Sequence, residues 1–217
     1  MAQPSPFLRA AAAWFWLAVL TAFLLFSPST VNKLCPHQYL ASYLEIIFVG
    51  LIPVLLTLYA RENWSRYGLA RMGLAKSLIW SLVYVAVACA FSRLTSGHWM
   101  SFYSMTSDLS FPGKAYYAVL GVFAYGPLEM FFFVWLVSNT EHIFQGRRGS
   151  FFFGLTLTTV LYALLHVIFQ GLSAAAVGVP FFVLALIFRW TKNSIGPMIA
   201  WTLLNKQVWS LASLLWS

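Results

Sequence analysis

Three polar residues interrupt apolar runs that are each long enough to cross a bilayer: Glu129, His166 and Asn205. A carboxylate can draw a proton from water, and an imidazole can orient that water or relay the proton. A carboxamide can donate to an oxyanion and accept from another group at once. An ionisable side chain at membrane depth costs a few kcal/mol unless it faces a partner or a water-filled cavity. A chain that keeps all three groups on separate spans is therefore expected to bring them together.

Glu129 lies in GPLEMFFFVWLV, eight residues from Val137, which is about 12 Å along a helix. Pro127 stands two residues before it, after Gly126. Proline removes one backbone bond and clashes with the carbonyl four residues back, here Phe123, so the helix should kink where the carboxylate projects. The freed backbone groups need protein or water, and a wet cavity near Glu129 follows. His166 lies in LYALLHVIFQGL, with Tyr162 four residues earlier on the same helix face. Asn205 lies in SIGPMIAWTLLNK, nine residues past Gly196, or roughly 14 Å into its helix. Asn193-Ser194 followed by Gly196-Pro197 reads as the start of that helix. Each residue also has a plainer reading. Glu129 could be protonated and bonded to a neighbour for packing, His166 a hydrogen-bonded core residue, Tyr162 aromatic filler, and Asn205 interhelical glue.

The elements that must hold these groups are helices. The chain has 217 residues, 61% hydrophobic and 8% charged, against about 25% charged in a soluble domain. It reads as all-α: one polytopic transmembrane bundle over residues 1–217, a single integral membrane domain. Seven apolar segments can be drawn, at 8–26, 43–60, 77–92, 116–137, 151–170, 172–190 and 195–216. The first is long and is followed by Ser27-Pro28-Ser29, a poor cleavage site, so it reads as a retained helix rather than a signal peptide. The third is short. The connection 93–115 either caps the bundle or contains a re-entrant turn.

The net charge of +8 sits in short loops and sets orientation rather than suggesting nucleic acid. With the N-terminus cytoplasmic, Arg9, Arg61, Arg66, Arg71, Lys76, Arg147, Arg148, Arg189 and Lys192 fall inside, and Lys33, Arg93 and Lys114 outside. The segment WSRYGLARMGLAK, 64–76, is expected as a short basic, aromatic helix in the headgroup plane. There it would anchor its neighbours or serve as a slide for an anionic or lipidated substrate. Lys206 either snorkels or pairs with Glu45. Cys35 and Cys89 are expected unpaired and lack metal-ligand spacing. Without a targeting segment, a prokaryotic plasma membrane is the expected location.

Taken in order, these segments resemble the CPBP family of intramembrane endopeptidases, which includes the CAAX prenyl proteases of the Ras-converting type and bacterial Abi-like membrane proteins. The family's Glu-Glu motif is met by Glu129, with Met130 at the second Glu and Val134 at the following Arg. Its aromatic-x-x-x-His motif is met by Tyr162 and His166. Its final His-x-x-x-Asn motif is met by Asn205, with Trp201 where the His belongs. The likeness covers about 114–210.

It implies Glu129 as general base for a water, His166 as a holder of that water and Asn205 as oxyanion donor, with Tyr162 and Trp201 supporting. The implied partners are membrane lipid and a hydrophobic or lipidated peptide. No cofactor is expected. A divalent metal such as zinc is disfavoured, since one Glu, one His and one Asn make a poor tetrahedral set; Glu129 and His166 would be its ligands. The missing Glu, Arg and His leave a second reading, a non-catalytic pseudoprotease that binds such a peptide. A third is a small proton-coupled transporter with Glu129 and His166 as relay, although no paired halves are visible.

Overall fold

The computed structural model describes residues 5–26, 46–97, 115, 119–144 and 149–205. They form helices and short connections, with no strand among the described residues. In chain order the helices are α1 (Pro6–Phe26), α2 (Ile46–Tyr59), α3 (Leu74–Ser96), α4 (Val119–Ile143), α5 (Ser150–Gln170), α6 (Gly178–Thr191) and α7 (Ile195–Leu204). A 3-10 turn, Trp64–Tyr67, precedes α3, and another, Leu172–Val177, leads into α6.

Among the described residues, four stretches are long and apolar enough to cross a membrane: Leu74–Ser96, Val119–Ile143, Ser150–Ile168 and Leu172–Thr191. Phe7–Val19, Ile46–Tyr59 and Ile195–Leu204 are shorter apolar helices. The segment read as a short third span is thus the core of a 23-residue helix, because Leu74, Ala75 and Lys76 extend it at one end and Arg93 to Ser96 at the other. The sixth segment, expected as one helix, changes from 3-10 to α at Gly178.

α4 is the central helix. Every residue from Glu129 to Thr140 is buried, so this part of the helix has no lipid-facing stripe. α3 and α5 turn apolar side chains outward instead. On α3, Ile79, Trp80, Val83, Val87, Phe91 and Leu94 are exposed, and on α5 so are Phe152, Val160, Leu164 and Ile168. So much contiguous apolar surface is foreign to a soluble monomer and suits lipid.

Two glycines let helices approach closely. A side chain at Gly196 on α7 would overlap the carbonyl and hydroxyl of Ser77 on α3, and one at Gly126 on α4 would overlap Thr202 on α7. Small residues at such crossings are how membrane helices maximise packing contact.

The kink expected at Pro127 takes the form of a π turn, Ala124–Leu128, ending immediately before Glu129. A π turn widens the helix and leaves backbone groups out of the regular ladder. α2 begins the same way: a π turn at Ile46–Leu51 precedes Pro53. The start of α7 is as expected. The side chain of Asn193 accepts from the Ile195 N–H at 3.0 Å.

Within 64–76, expected as a short helix, the chain makes a four-residue 3-10 turn, Trp64–Tyr67, before α3 begins at Leu74. Tyr67 is wholly buried and donates to Glu62. Glu62 also binds Arg9 of α1 at 2.8 Å and Arg66 at 3.2 Å. Arg66 continues to the Ser138 carbonyl at 3.3 Å and to Asn139 at 3.2 Å, both on α4. The Gly68 carbonyl accepts from the Ser194 N–H at 3.1 Å. These bonds tie the cluster to α1 and α4. The expected Glu45–Lys206 pair, Cys35, Lys33, Lys114, Arg147, Arg148, and most of the 93–115 connection and of the last apolar segment lie outside the described residues.

Candidate functional site

All five residues singled out in the sequence meet at one point. Glu129 opens the regular part of α4, just after the π turn, and is 4% exposed. Tyr162 and His166 come from α5, and Trp201 and Asn205 from α7 and its C-terminal cap.

The Glu129 carboxylate is the hub. Its Oε1 accepts from the Tyr162 hydroxyl at 3.3 Å and lies 3.5 Å from His166 Nε2. Its Oε2 accepts from Trp201 Nε1 at 2.8 Å and from Asn205 Nδ2 at 3.3 Å. The depths estimated for Glu129 and Asn205 along their own helices are similar, which fits their contact. Asn205 also donates to the carbonyl of Tyr125, inside the π turn. A carbonyl within the irregular turn therefore helps hold the carboxamide.

A carboxylate offers about four acceptor positions; Tyr162, Trp201 and Asn205 donate to this one, and His166 Nε2 faces it. The two sides differ. The Trp201 bond is short and well formed, whereas both Oε1 contacts are long, so Oε1 is the end a water could take over. Long contacts of this kind are common in unliganded catalytic centres.

The tautomer of His166 follows from its surroundings. Nδ1 lies 2.9 Å from the Tyr162 carbonyl, which can only accept, so Nδ1 carries hydrogen. In the neutral ring Nε2 is then an acceptor facing the carboxylate. Glu129 and His166 must share one proton, or be bridged by a group that donates to both. A water molecule is such a group.

Aromatic rings wall the centre. Phe181 of α6 lies 4.3 Å from Trp201 and 4.7 Å from Tyr162, ring centre to ring centre, and Phe133 packs edge-on to Tyr162 at 5.4 Å. Met130 and Val134 are completely buried in the core beside Glu129. An apolar wall without charge is what those two residues provide.

Glu129 Oε1 and His166 Nε2 are the site's metal-capable atoms. Trp201 presents only an N–H, which donates and cannot ligate. Three or more His, Cys, Asp or Glu are nowhere grouped for a metal among the described residues. The donor set fits carbonyl recognition better than metal binding.

Reasoning from sequence missed one relation. Trp201 was a supporting residue at a position foreign to the motif, yet its indole makes the best bond to Glu129. The only signal was that Trp201 lies one helical turn before Asn205. The scan against family models and the searches of curated proteins and of solved structures each found no match for this chain.

Proposed function

We propose that this chain is an intramembrane endopeptidase of the CPBP type that cleaves a membrane-associated peptide with a glutamate-activated water. The observation that carries this reading is the convergence of Tyr162, His166, Trp201 and Asn205, from two helices, on the buried carboxylate of Glu129.

The steps follow from the donors and acceptors. A water displaces the long Oε1 contacts and bridges Glu129 and neutral His166, donating one hydrogen to each. Glu129 takes a proton as the water oxygen attacks the peptide carbonyl carbon. The carbonyl becomes an oxyanion, which Asn205 stabilises by turning a carboxamide N–H to it, while the single indole N–H of Trp201 stays on Glu129. One such donor is worth about 2.7–4 kcal/mol when well placed. The proton held by Glu129 passes to the departing amine, and the C–N bond breaks.

Around this centre the proposal places seven spans, with the N-terminus cytoplasmic, in a prokaryotic plasma membrane. Arg9, Arg66, Arg189 and Lys192 gather at one end of the bundle, and that end is the cytoplasmic one under the positive-inside rule. The substrate is a hydrophobic or lipidated peptide that reaches the site from the membrane.

A second reading is favoured by one specific observation. Three protein donors already hold Glu129, and the apolar Met130 and Val134 fill the positions where the family pattern has charges. A non-catalytic relative that binds the peptide and leaves it intact would have such a centre. Proteoliposomes holding the purified chain and a fluorogenic, membrane-anchored peptide library separate the two. Cleavage by the wild type that vanishes in Glu129→Gln supports hydrolysis. Peptide retained uncut by both forms supports the second reading.

A further inference from the structure

A second cluster of charge lies apart from Glu129. Arg66, Ser138, Glu141, His142, Arg189 and Lys192 line a cavity of about 240 Å³. It sits where α4 and α6 both end, at Ile143 and Thr191. Two helices long and apolar enough to cross a membrane terminate there, a position that suits contact with lipid headgroups.

Its charges are unbalanced. Three cations face one carboxylate. Glu141 is held by Arg189 at 3.1 Å, whose guanidinium also lies 4.7 Å over the Phe151 ring. Arg66 is anchored from behind by Glu62, which it shares with Arg9. Its Nε is buried and has no hydrogen-bond partner. Lys192, at a left-handed φ of 58°, makes no ion pair among the described residues. Burial, and then the neighbouring Arg189, lower the pKa of its ammonium.

Basic side chains often follow helix C-termini simply to offset the helix dipole. That accounts for Arg189 and Lys192. It does not account for Arg66, which arrives from a separate connection and is fixed there by three side-chain bonds, to Glu62, the Ser138 carbonyl and Asn139. Nor does it explain why the three cations enclose a hollow. Guanidinium forks and an ammonium around a concave site suit a multi-oxygen anion.

We propose that this cavity binds a phosphate group. An anionic lipid headgroup and free phosphate offer the same chemistry, and basic pockets between membrane helices commonly take the former.

The test uses the full chain purified in a neutral detergent and follows thermal unfolding. The probes are short-chain phosphatidylglycerol, the matching phosphatidylcholine, and inorganic phosphate. Saturable stabilisation by phosphatidylglycerol, weaker with phosphatidylcholine, is the expected result. Lys192→Asn should weaken the apparent affinity about fivefold, as expected for one basic side chain near a headgroup. Asn tolerates the left-handed conformation, so that variant keeps the local fold. Glu141→Gln should tighten binding, because it removes the competing carboxylate. If inorganic phosphate saturates the site as tightly as phosphatidylglycerol, the ligand is the free anion; if it does not, the ligand is the headgroup. No saturable shift with either, or an affinity that neither Lys192→Asn nor Glu141→Gln changes, would overturn the proposal.

Discussion

Trp201 offers the sharpest test of the geometry around Glu129. Its Nε1–H donates to a carboxylate oxygen at 2.8 Å, and the residue is 5% exposed. Trp201→Phe keeps a ring against Phe181 and deletes that donor. A buried hydrogen bond to a charged group is worth about 1.5–3 kcal/mol. For a chain of this size each kcal/mol moves Tm by about 2–4 °C, so a fall of roughly 3–12 °C is expected. Glu129→Gln converts the bond to a neutral one, worth about 0.5–1.5 kcal/mol. A cycle of the two single variants and the double variant should therefore give a coupling of about 1 kcal/mol or more. The assay is unfolding in one detergent, followed by tryptophan-independent far-ultraviolet dichroism. Distant sites add to within about 0.3–0.5 kcal/mol. A coupling below that would mean that indole and carboxylate do not meet, and the geometry built on Glu129 would fall with it.

Three further outcomes follow from particular contacts. Tyr162→Phe removes one of the long Oε1 contacts, so it should cost only about 0.5–1.5 kcal/mol of stability and leave cleavage equal or faster; loss of cleavage would make the hydroxyl essential. Gly196→Ala puts a methyl into the backbone of Ser77 and should cost about 1–3 kcal/mol through overpacking; an unchanged Tm would show that α3 and α7 do not cross there. Burial, opposed by Arg66 and aided by Glu62, raises the pKa of the Tyr67 phenol from its ordinary 10.0. The native state then keeps a proton that the unfolded state releases, so this contribution is whole below pH 10.0 and fades above it, by about 1.4 kcal/mol per pH unit. Alkaline unfolding of wild type and Tyr67→Phe checks this: the variant should lack that slope.

The chemistry was more legible in the sequence than its surroundings were. Glu129, His166 and Asn205 stood out because polar groups within apolar runs are costly, and cost implies partners. Pro127 announced the irregular turn that aims Glu129. Other features depended on partners far away along the chain. The 64–76 segment has the composition of an interfacial helix, and nothing local reveals that Asn139 and Ser138 will draw Arg66 and Tyr67 inward. Trp201 reads as apolar filler until its N–H is seen on Glu129. The burial of all of α4 from Glu129 to Thr140 could not be read from a helix whose hydrophobicity has no preferred side.

The central claim is that Glu129 activates water at this centre, and the most direct measurement is cleavage of a membrane-anchored peptide by wild type and Glu129→Gln at matched folding. Glutamine can keep every donor occupied: its oxygen serves Trp201 and Asn205, and its amide donates to His166 and Tyr162. The fold should survive, and cleavage should drop by about 10²–10⁴ if the carboxylate is the base. Equal cleavage by both proteins, or none by a well-folded wild type that still binds the peptide, would contradict the claim.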